Sequence, residues 1–162
     1  MAVAREPVVV GFLCHWCAYR AADLAGLART PVSPALHTVR VLCSGRVEPD
    51  LVLKALAWGA DGVLVVGCHP GGCHSVDGNV KAARRIALLR PLLEQLGISR
   101  ERVEVVWAGA SEGSRYAEEV ERFVGRIRQL GPLGRPGPGG SPAGAGVPFP
   151  SDPLLAPPEA PR

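Results

Sequence analysis

The sequence predicts an α/β fold: a small doubly wound parallel sheet of about four strands, most simply flavodoxin-like, followed by a disordered C-terminal tail. Four short apolar runs alternate with four segments of helical character. The apolar runs are nearly continuous in Val and Leu, which is typical of parallel strands covered on both faces. Right-handed crossovers between such strands give a doubly wound sheet. After residue 130 the composition changes abruptly to Gly and Pro.

The predicted strands and the first three helices occupy residues 8 to 107. Strands are predicted over residues 8–12, 38–42, 63–66 and 103–107, and the first helix over residues 18–28. Pro49 suits the start of the second helix, where apolar residues 51, 52, 55 and 56 form a stripe. The third helix begins near Asp77, carries Pro91 as a potential kink and ends near Gly97, a usual C-terminal position for glycine.

The last helix has the clearest pattern in the chain. Its apolar residues fall at i, i+4, i+7, i+8, i+11 and i+14, namely Tyr116, Val120, Phe123, Val124, Ile127 and Leu130. Ser111 is the expected N-cap. Ser111 also lies in a G-x-S-x-G run, but no histidine follows it, which excludes the usual serine, acid, histidine order of an α/β-hydrolase.

Composition and charge limit the classes of protein that this chain can belong to. Its 162 residues are 47% hydrophobic, which suits one soluble domain with a proper core. The formal net charge of +3 is too small to argue for a nucleic-acid partner. No apolar run approaches the roughly 18 residues that span a bilayer, and the N-terminus lacks the order of a signal peptide. We therefore expect a cytoplasmic protein without a membrane partner.

Residues 131–162 are predicted to be a disordered Pro/Gly-rich tail, separate from an α/β domain over residues 1–130. Gly and Pro supply 17 of these 32 residues, and large apolar side chains are scarce. Such a segment cannot bury enough surface to offset the entropy lost on ordering.

Five cysteines stand in three short groups, and each group directly follows a predicted strand. Cys14 and Cys17 follow the first strand, Cys43 the second, and Cys68 and Cys73 the third. The carboxyl ends of parallel strands lie along one edge of a sheet, so these thiols should meet in space. Thiolates are soft ligands suited to zinc and iron–sulfur clusters, and a [2Fe–2S] cluster usually needs four of them. The sequence therefore predicts redox or metal chemistry at this edge; a cluster there would be held by four of the five cysteines, with Cys68, Cys73 and Cys14 the first candidates.

Neighbouring polar residues are candidates to act around the metal. Arg46 lies just after Cys43 and can offset the negative charge of four thiolates. His69 and His74 each adjoin a cysteine, as does His15, and each can donate a hydrogen bond to a metal-bound sulfur more readily than it ligates.

Two other functional classes remain open from the residues alone. The C-x2-C pair at a strand-to-helix turn fits a thioredoxin-like dithiol oxidoreductase, its thiolate favoured by the helix N-terminus. That interpretation leaves Cys43, Cys68 and Cys73 unexplained. Alternatively, zinc can be bound by four of the cysteines or by mixtures with the histidines, which would make the protein a structural adaptor.

Several motifs in the same order resemble the delta subunit of the methyl-viologen-reducing (F420-non-reducing) hydrogenase, over roughly residues 8 to 130. They are Gly11-Phe-Leu-Cys-His-Trp-Cys17, Ala21-Ala-Asp-Leu-Ala-Gly26, Val41-Leu-Cys-Ser-Gly-Arg-Val47, Gly59-Ala-Asp-Gly-Val-Leu-Val65, Gly67-Cys-His-Pro-Gly-Gly-Cys-His74, Gly78-Asn79 and Ser111-Glu-Gly113. The resemblance implies a [2Fe–2S] cluster in a non-catalytic subunit of an oxidoreductase complex. It implies electron transfer between a hydrogenase or other dehydrogenase and a heterodisulfide-reductase-like flavin and iron–sulfur subunit.

Overall fold

The computed structural model describes residues 5–134, and it confirms the predicted α/β class with a parallel sheet. In chain order the elements are β1 (Val9–Cys14), α1 (Ala18–Leu27), β2 (Leu36–Val41), α2 (Pro49–Ala57), β3 (Gly62–Gly67), α3 (Gly78–Gln95), β4 (Val103–Trp107) and α4 (Gly113–Leu130). The four strands are parallel and lie in the order β2-β1-β3-β4. Within residues 5–134, no helix is both long and apolar enough to cross a bilayer.

The apolar strands are buried because helices cover both faces of the sheet. Along β3, Leu64 and Val66 pack into one apolar cluster, which also contains residues of α1 and α4. Their neighbours Val63 and Val65 pack into a second cluster with residues of α2 and α3. Successive strand residues point to opposite faces, so a continuous Val/Leu run is what two covered faces require.

The helices begin and end close to their predicted positions, with one correction in α4. The predicted N-cap, Ser111, is exposed, and the helix instead begins at Gly113 with Glu112 in the cap position. Gly113 permits a close contact between helices, since a Cβ there would lie 2.9 Å from the backbone nitrogen of Ala25 in α1. Pro91 lies inside α3, which continues past it to Gln95.

At the amino ends of the strands, the buried carboxylate of Asp61 accepts hydrogen bonds from residues near both ends of the described chain. It accepts from Arg5 at 2.9 Å and from the backbone nitrogens of Val8 at 2.8 Å and Leu133 at 2.9 Å. The N-terminal segment and the segment after α4 are thereby held against the same end of the sheet.

Arg102, also buried, completes this arrangement from the turn before β4. Its guanidinium donates to the carbonyl oxygens of Asp61, Leu130 and Gly131. Residues 131–134 are the start of the predicted tail. Hydrogen bonds to Gly131 and from Leu133 hold this segment against the domain. Residues 135–162 lie outside the described part of the chain, and the domain boundary stays a prediction.

Candidate metal centre

Three thiols from two loops meet at the carboxyl edge of the sheet. Cys14 ends β1, Cys17 precedes α1, and Cys68 follows β3, so the neighbouring strands β1 and β3 deliver all three to one place. Their sulfur atoms lie within 4.8 Å of one another, and all three residues are buried. The sulfurs of Cys14 and Cys68 lie 3.9 Å apart.

The other two thiols form a second group at the same edge. The sulfurs of Cys43, after β2, and Cys73, in the loop before α3, lie 3.9 Å apart. Gly78, the first residue of α3, permits this position, because a Cβ there would lie 2.3 Å from the Cys43 sulfur. Cys73 also packs against the apolar cluster that contains the first three thiols, so the two groups adjoin.

This donor set fits a thiolate-bound metal centre. Two thiolates bound to one tetrahedral metal ion at about 2.3 Å lie about 3.8 Å apart. The Cys14–Cys68 and Cys43–Cys73 separations of 3.9 Å match that spacing. All five cysteines are free thiols. Of the predicted ligands, the structure thus brings three into one group and two into another, leaving any four available.

In each group one thiol has a lowered pKa. The hydrogen bond from Cys17 is the largest of the effects that lower the pKa of Cys14 to about 5, and it raises the pKa of Cys17. Burial raises the pKa of Cys68. Burial also acts to raise the pKa of Cys73, but hydrogen bonds with the backbone, first that of Asn79, lower it overall. A thiolate is the form that binds a metal.

Asn79, in the first turn of α3, fixes the loop that carries Cys68. Its side-chain nitrogen donates to the carbonyl oxygens of Cys68 and His69, both at 2.9 Å, and its side-chain oxygen accepts from the backbone nitrogen of Val80 at 2.8 Å. The side chain is fully buried. The sequence placed Asn79 in the Gly78-Asn79 motif but did not indicate these partners, which lie about ten residues away in the chain.

Ser44, directly after Cys43, is the one orphaned polar side chain at this edge. It begins a 3₁₀ turn over Ser44–Arg46 and is fully buried. Among the buried side-chain oxygen and nitrogen atoms of residues 5–134, only the Ser44 hydroxyl has no hydrogen-bond partner. A buried hydroxyl without a partner at a thiol-rich edge is consistent with a bound group that accepts a hydrogen bond from it.

His69 is oriented by a carboxylate that the sequence did not single out. Its Nε2 lies 2.6 Å from Oε2 of Glu112, which also accepts from the backbone nitrogen of Gly109 at 2.6 Å. The hydrogen bond from Gly109 and then that from His69 lower the pKa of Glu112. Glu112 follows Ser111 in the G-x-S-x-G run, and no local pattern shows its contact with His69, which is 43 residues away in the chain.

His74 joins the two loops that carry the first thiol group. Its ring stacks on Trp16 with a centroid distance of 3.8 Å and an interplanar angle of 23°, while the ring of His15 meets Trp16 edge-on at 5.0 Å. A cleft of about 520 Å³ opens here, with a lining that includes Trp16, Cys17, Arg20, Cys68, His69 and His74. Cys17 and Cys68 thus lie at the wall of this cleft.

The predicted charge-offsetting residue, Arg46, ends the 3₁₀ turn with an exposed side chain. A different arginine contacts that turn: Arg85 of α3 donates to the carbonyl oxygen of Gly45 at 2.6 Å and pairs with Glu48 at 3.0 Å.

Comparisons with known proteins agree with this arrangement. Residues 9–131 match the family model described as methyl-viologen-reducing hydrogenase, delta subunit. The chain is 52% identical over 128 residues to the iron-sulfur subunit of an F420-non-reducing hydrogenase from Archaeoglobus profundus, covering 79% of this chain and 93% of that one. It is 46% identical over 132 residues to the iron-sulfur subunit of the F420-non-reducing hydrogenase vhc from Methanococcus voltae, covering 82% and 92% of the two chains.

A further relative has a different architecture. The chain is 40% identical over 128 residues to one subunit of the ferredoxin/F(420)H(2)-dependent CoB-CoM heterodisulfide reductase of Methanosarcina acetivorans, covering 79% of this chain but only 16% of that protein. The same unit therefore also occurs as a segment of a much longer polypeptide.

Proposed function

The chain belongs to the methyl-viologen-reducing hydrogenase delta subunit family, and from that premise we propose that it is an electron-transfer subunit carrying one [2Fe–2S] cluster. Five free thiols at one edge of the sheet, in two groups, are the observation that carries the proposal. A [2Fe–2S] cluster has two irons and four protein ligands, two for each iron. When bound, it supplies one-electron transfer.

The two close sulfur pairs support a particular ligand set. Cys14 and Cys68 would hold one iron, and Cys43 and Cys73 the other, since each pair has the spacing of two ligands on one metal ion. Cys17 would then be the fifth thiol, hydrogen-bonded to Cys14. The backbone of α3's first turn stabilises the Cys73 thiolate. Burial of Cys14, Cys43 and Cys68 limits the access of water to those thiols.

The partners follow from what the relatives are. Electrons would pass between a hydrogenase or other dehydrogenase and a heterodisulfide-reductase-like flavin and iron–sulfur subunit. Support comes from relatives named as hydrogenase subunits and from the relative in which this unit is part of a heterodisulfide reductase polypeptide. In this proposal the protein works in the cytoplasm within that complex, turns over no substrate alone and binds neither nucleic acid nor membrane.

Anaerobic purification followed by iron, sulfide and EPR analysis tests the proposal. We expect two irons and two inorganic sulfides per chain, and an EPR signal from the cluster after its reduction by one electron. Stoichiometric zinc without inorganic sulfide would refute the cluster. Cys→Ser variants made one at a time test the ligand set: Cys17→Ser should keep the iron, and each of the other four should lose it. If Cys17→Ser loses iron and one of the four keeps it, the ligand set is wrong while the cluster stands.

A thiol oxidoreductase is the second candidate, favoured by the lowered pKa of Cys14 beside Cys17 at the start of α1. It predicts a two-electron redox couple that survives replacement of Cys43 and Cys73. A redox titration that follows absorbance in the visible region separates the two, because a dithiol couple has no colour change there.

A further inference from the structure

Ser44 has a hydrogen to donate and, among residues 5–134, no atom to receive it. Its hydroxyl is fully buried, and its chain position directly follows Cys43. Burial removes the hydration of a hydroxyl, so natural proteins nearly always provide a partner from the protein, an ordered water or a bound group. The other buried polar side chain at this edge, Asn79, already uses its donors on two carbonyl oxygens.

The Ser44 side chain lies between chain segments that carry one cysteine from each close sulfur pair. It follows Cys43 in the chain, and it packs against Gly67, the residue before Cys68. A Cβ at Gly67 would lie 2.8 Å from the Ser44 oxygen and 3.3 Å from its Cβ. The absence of a side chain at Gly67 therefore makes room for a serine hydroxyl where β2 and β3 end.

We propose that the Ser44 hydroxyl donates a hydrogen bond to a sulfur atom of the bound cluster, and that Ser44 is a positioning residue that raises the cluster's reduction potential. This inference rests on the proposed function, because it needs a cluster at this edge. Reduction adds negative charge to the cluster and its thiolates. A donor aimed at sulfur stabilises the reduced form more than the oxidised form, and hydrogen bonds to sulfur are one of the factors that set these potentials.

A pair of serine variants tests the proposal. Ser44→Ala removes the hydroxyl at the thiol edge. Ser33→Ala is the matched control, because Ser33 is also buried but lies before β2, at the amino ends of the strands, and its hydroxyl accepts hydrogen bonds from the backbone of Ala35 and from Arg128. Both variants are purified anaerobically as full chains. Iron content, reduction potential and the stability of the cluster-free protein are measured for each.

The expected results are opposite for the two serines. Ser44→Ala should keep its iron and lower the equilibrium constant for one-electron reduction about tenfold, which is a 59 mV lower potential. The cluster-free form of this variant should be at least as stable as the cluster-free parent. Ser33→Ala should leave the potential unchanged and lower the denaturation midpoint. An unchanged potential in Ser44→Ala would overturn the proposal and indicate that an ordered water satisfies the hydroxyl. Loss of iron from a folded Ser44→Ala would also overturn it, because a hydrogen-bond donor is not a ligand.

A spectroscopic measurement on the reduced protein gives a second criterion. Electron–nuclear double resonance in H₂O and D₂O should reveal an exchangeable proton coupled to the cluster in the parent protein and in Ser33→Ala, and that coupling should be missing from Ser44→Ala. The same exchangeable coupling in Ser44→Ala would contradict the proposal. If the parent binds no iron–sulfur cluster at all, the proposed function itself fails, and that outcome is recognised before any variant is compared.

Discussion

At the scale of single residues, Gly78 controls how closely α3 approaches the thiols. We predict that Gly78→Ala displaces the Cys43 sulfur, since the new Cβ would lie 2.3 Å from it. Cys43 would then leave its position 3.9 Å from Cys73, and iron and sulfide content should fall at least by about half. The control is Gly125→Ala in α4, where a Cβ meets no atom within 4 Å. It should keep full iron and gain about 0.5–1 kcal/mol of stability. Equal iron in both variants would contradict the prediction.

The buried carboxylate of Asp61 gives a second prediction, about stability. Asp61→Asn should lower the free energy of unfolding by about 2 kcal/mol, because the amide keeps one acceptor oxygen and turns its NH₂ group towards one of two backbone donors, Val8 N–H or Leu133 N–H. Chemical denaturation of the cluster-free protein measures it. Asp50→Asn is the control: its pair with Lys54 is exposed and should contribute less than about 0.5 kcal/mol. Similar losses in both variants would show that Asp61 has no special role.

At the scale of elements, Tyr116 of α4 makes the stability of the fold depend on pH in the alkaline range. Burial in the core raises the pKa of Tyr116 to about 12. A phenol whose pKa is higher in the folded state holds its proton more tightly when folded. Its contribution is therefore fully present below the unfolded pKa of about 10 and is lost as pH rises towards 12.

The variant Tyr116→Phe isolates this contribution. Between pH 10 and 12 the stability of the parent should fall relative to Tyr116→Phe by about 2 kcal/mol, while between pH 7 and 9 the difference should stay constant. Denaturation midpoints measured across this range give the comparison. Parallel pH profiles for the two proteins would rule the effect out.

The sequence was informative about elements and about the cysteines for the same physical reason. Strand and helix periods reflect burial, and parallel strands bring their carboxyl ends together, so the meeting of Cys14 with Cys68 could be predicted. The roles of Asn79, Glu112 and Ser44 could not. Asn79 and Glu112 act through contacts with distant segments, and Ser44 is notable because it lacks a partner. Neither a distant contact nor a missing partner leaves a local pattern in the sequence. The predicted N-cap at Ser111 was wrong: Glu112 is in the cap position, and the helix begins one residue later than predicted, at Gly113, which packs closely on α1.

At the scale of the whole molecule, the thiol edge is the surface on which partners should bind. Trp16, Leu42 and Val76 each lie within three residues of a cysteine in the chain and are 39%, 72% and 88% exposed. We predict that Leu42→Ser weakens the binding of a heterodisulfide-reductase-like partner about tenfold. The exposed leucine side chain would become buried on binding, and the serine variant loses the stabilisation from that apolar burial. Leu27→Ser, similarly exposed at the far end of α1, is the control. Calorimetry or pull-down with the purified partner measures the difference, and an equal effect of both variants would place the interface elsewhere.

The hydrogen bonds around Asp61 have a consequence for how this unit can be built into other proteins. Arg5 and Leu133 contact the same carboxylate, so the chain enters and leaves the unit side by side. The thiols lie at the other ends of the strands, separated from that point by the length of the sheet. A longer polypeptide can therefore be joined at either end, or at both, without disturbing the loops that carry the cysteines. This geometry explains how one sequence unit can occur both as a separate protein and as 16% of a heterodisulfide reductase polypeptide.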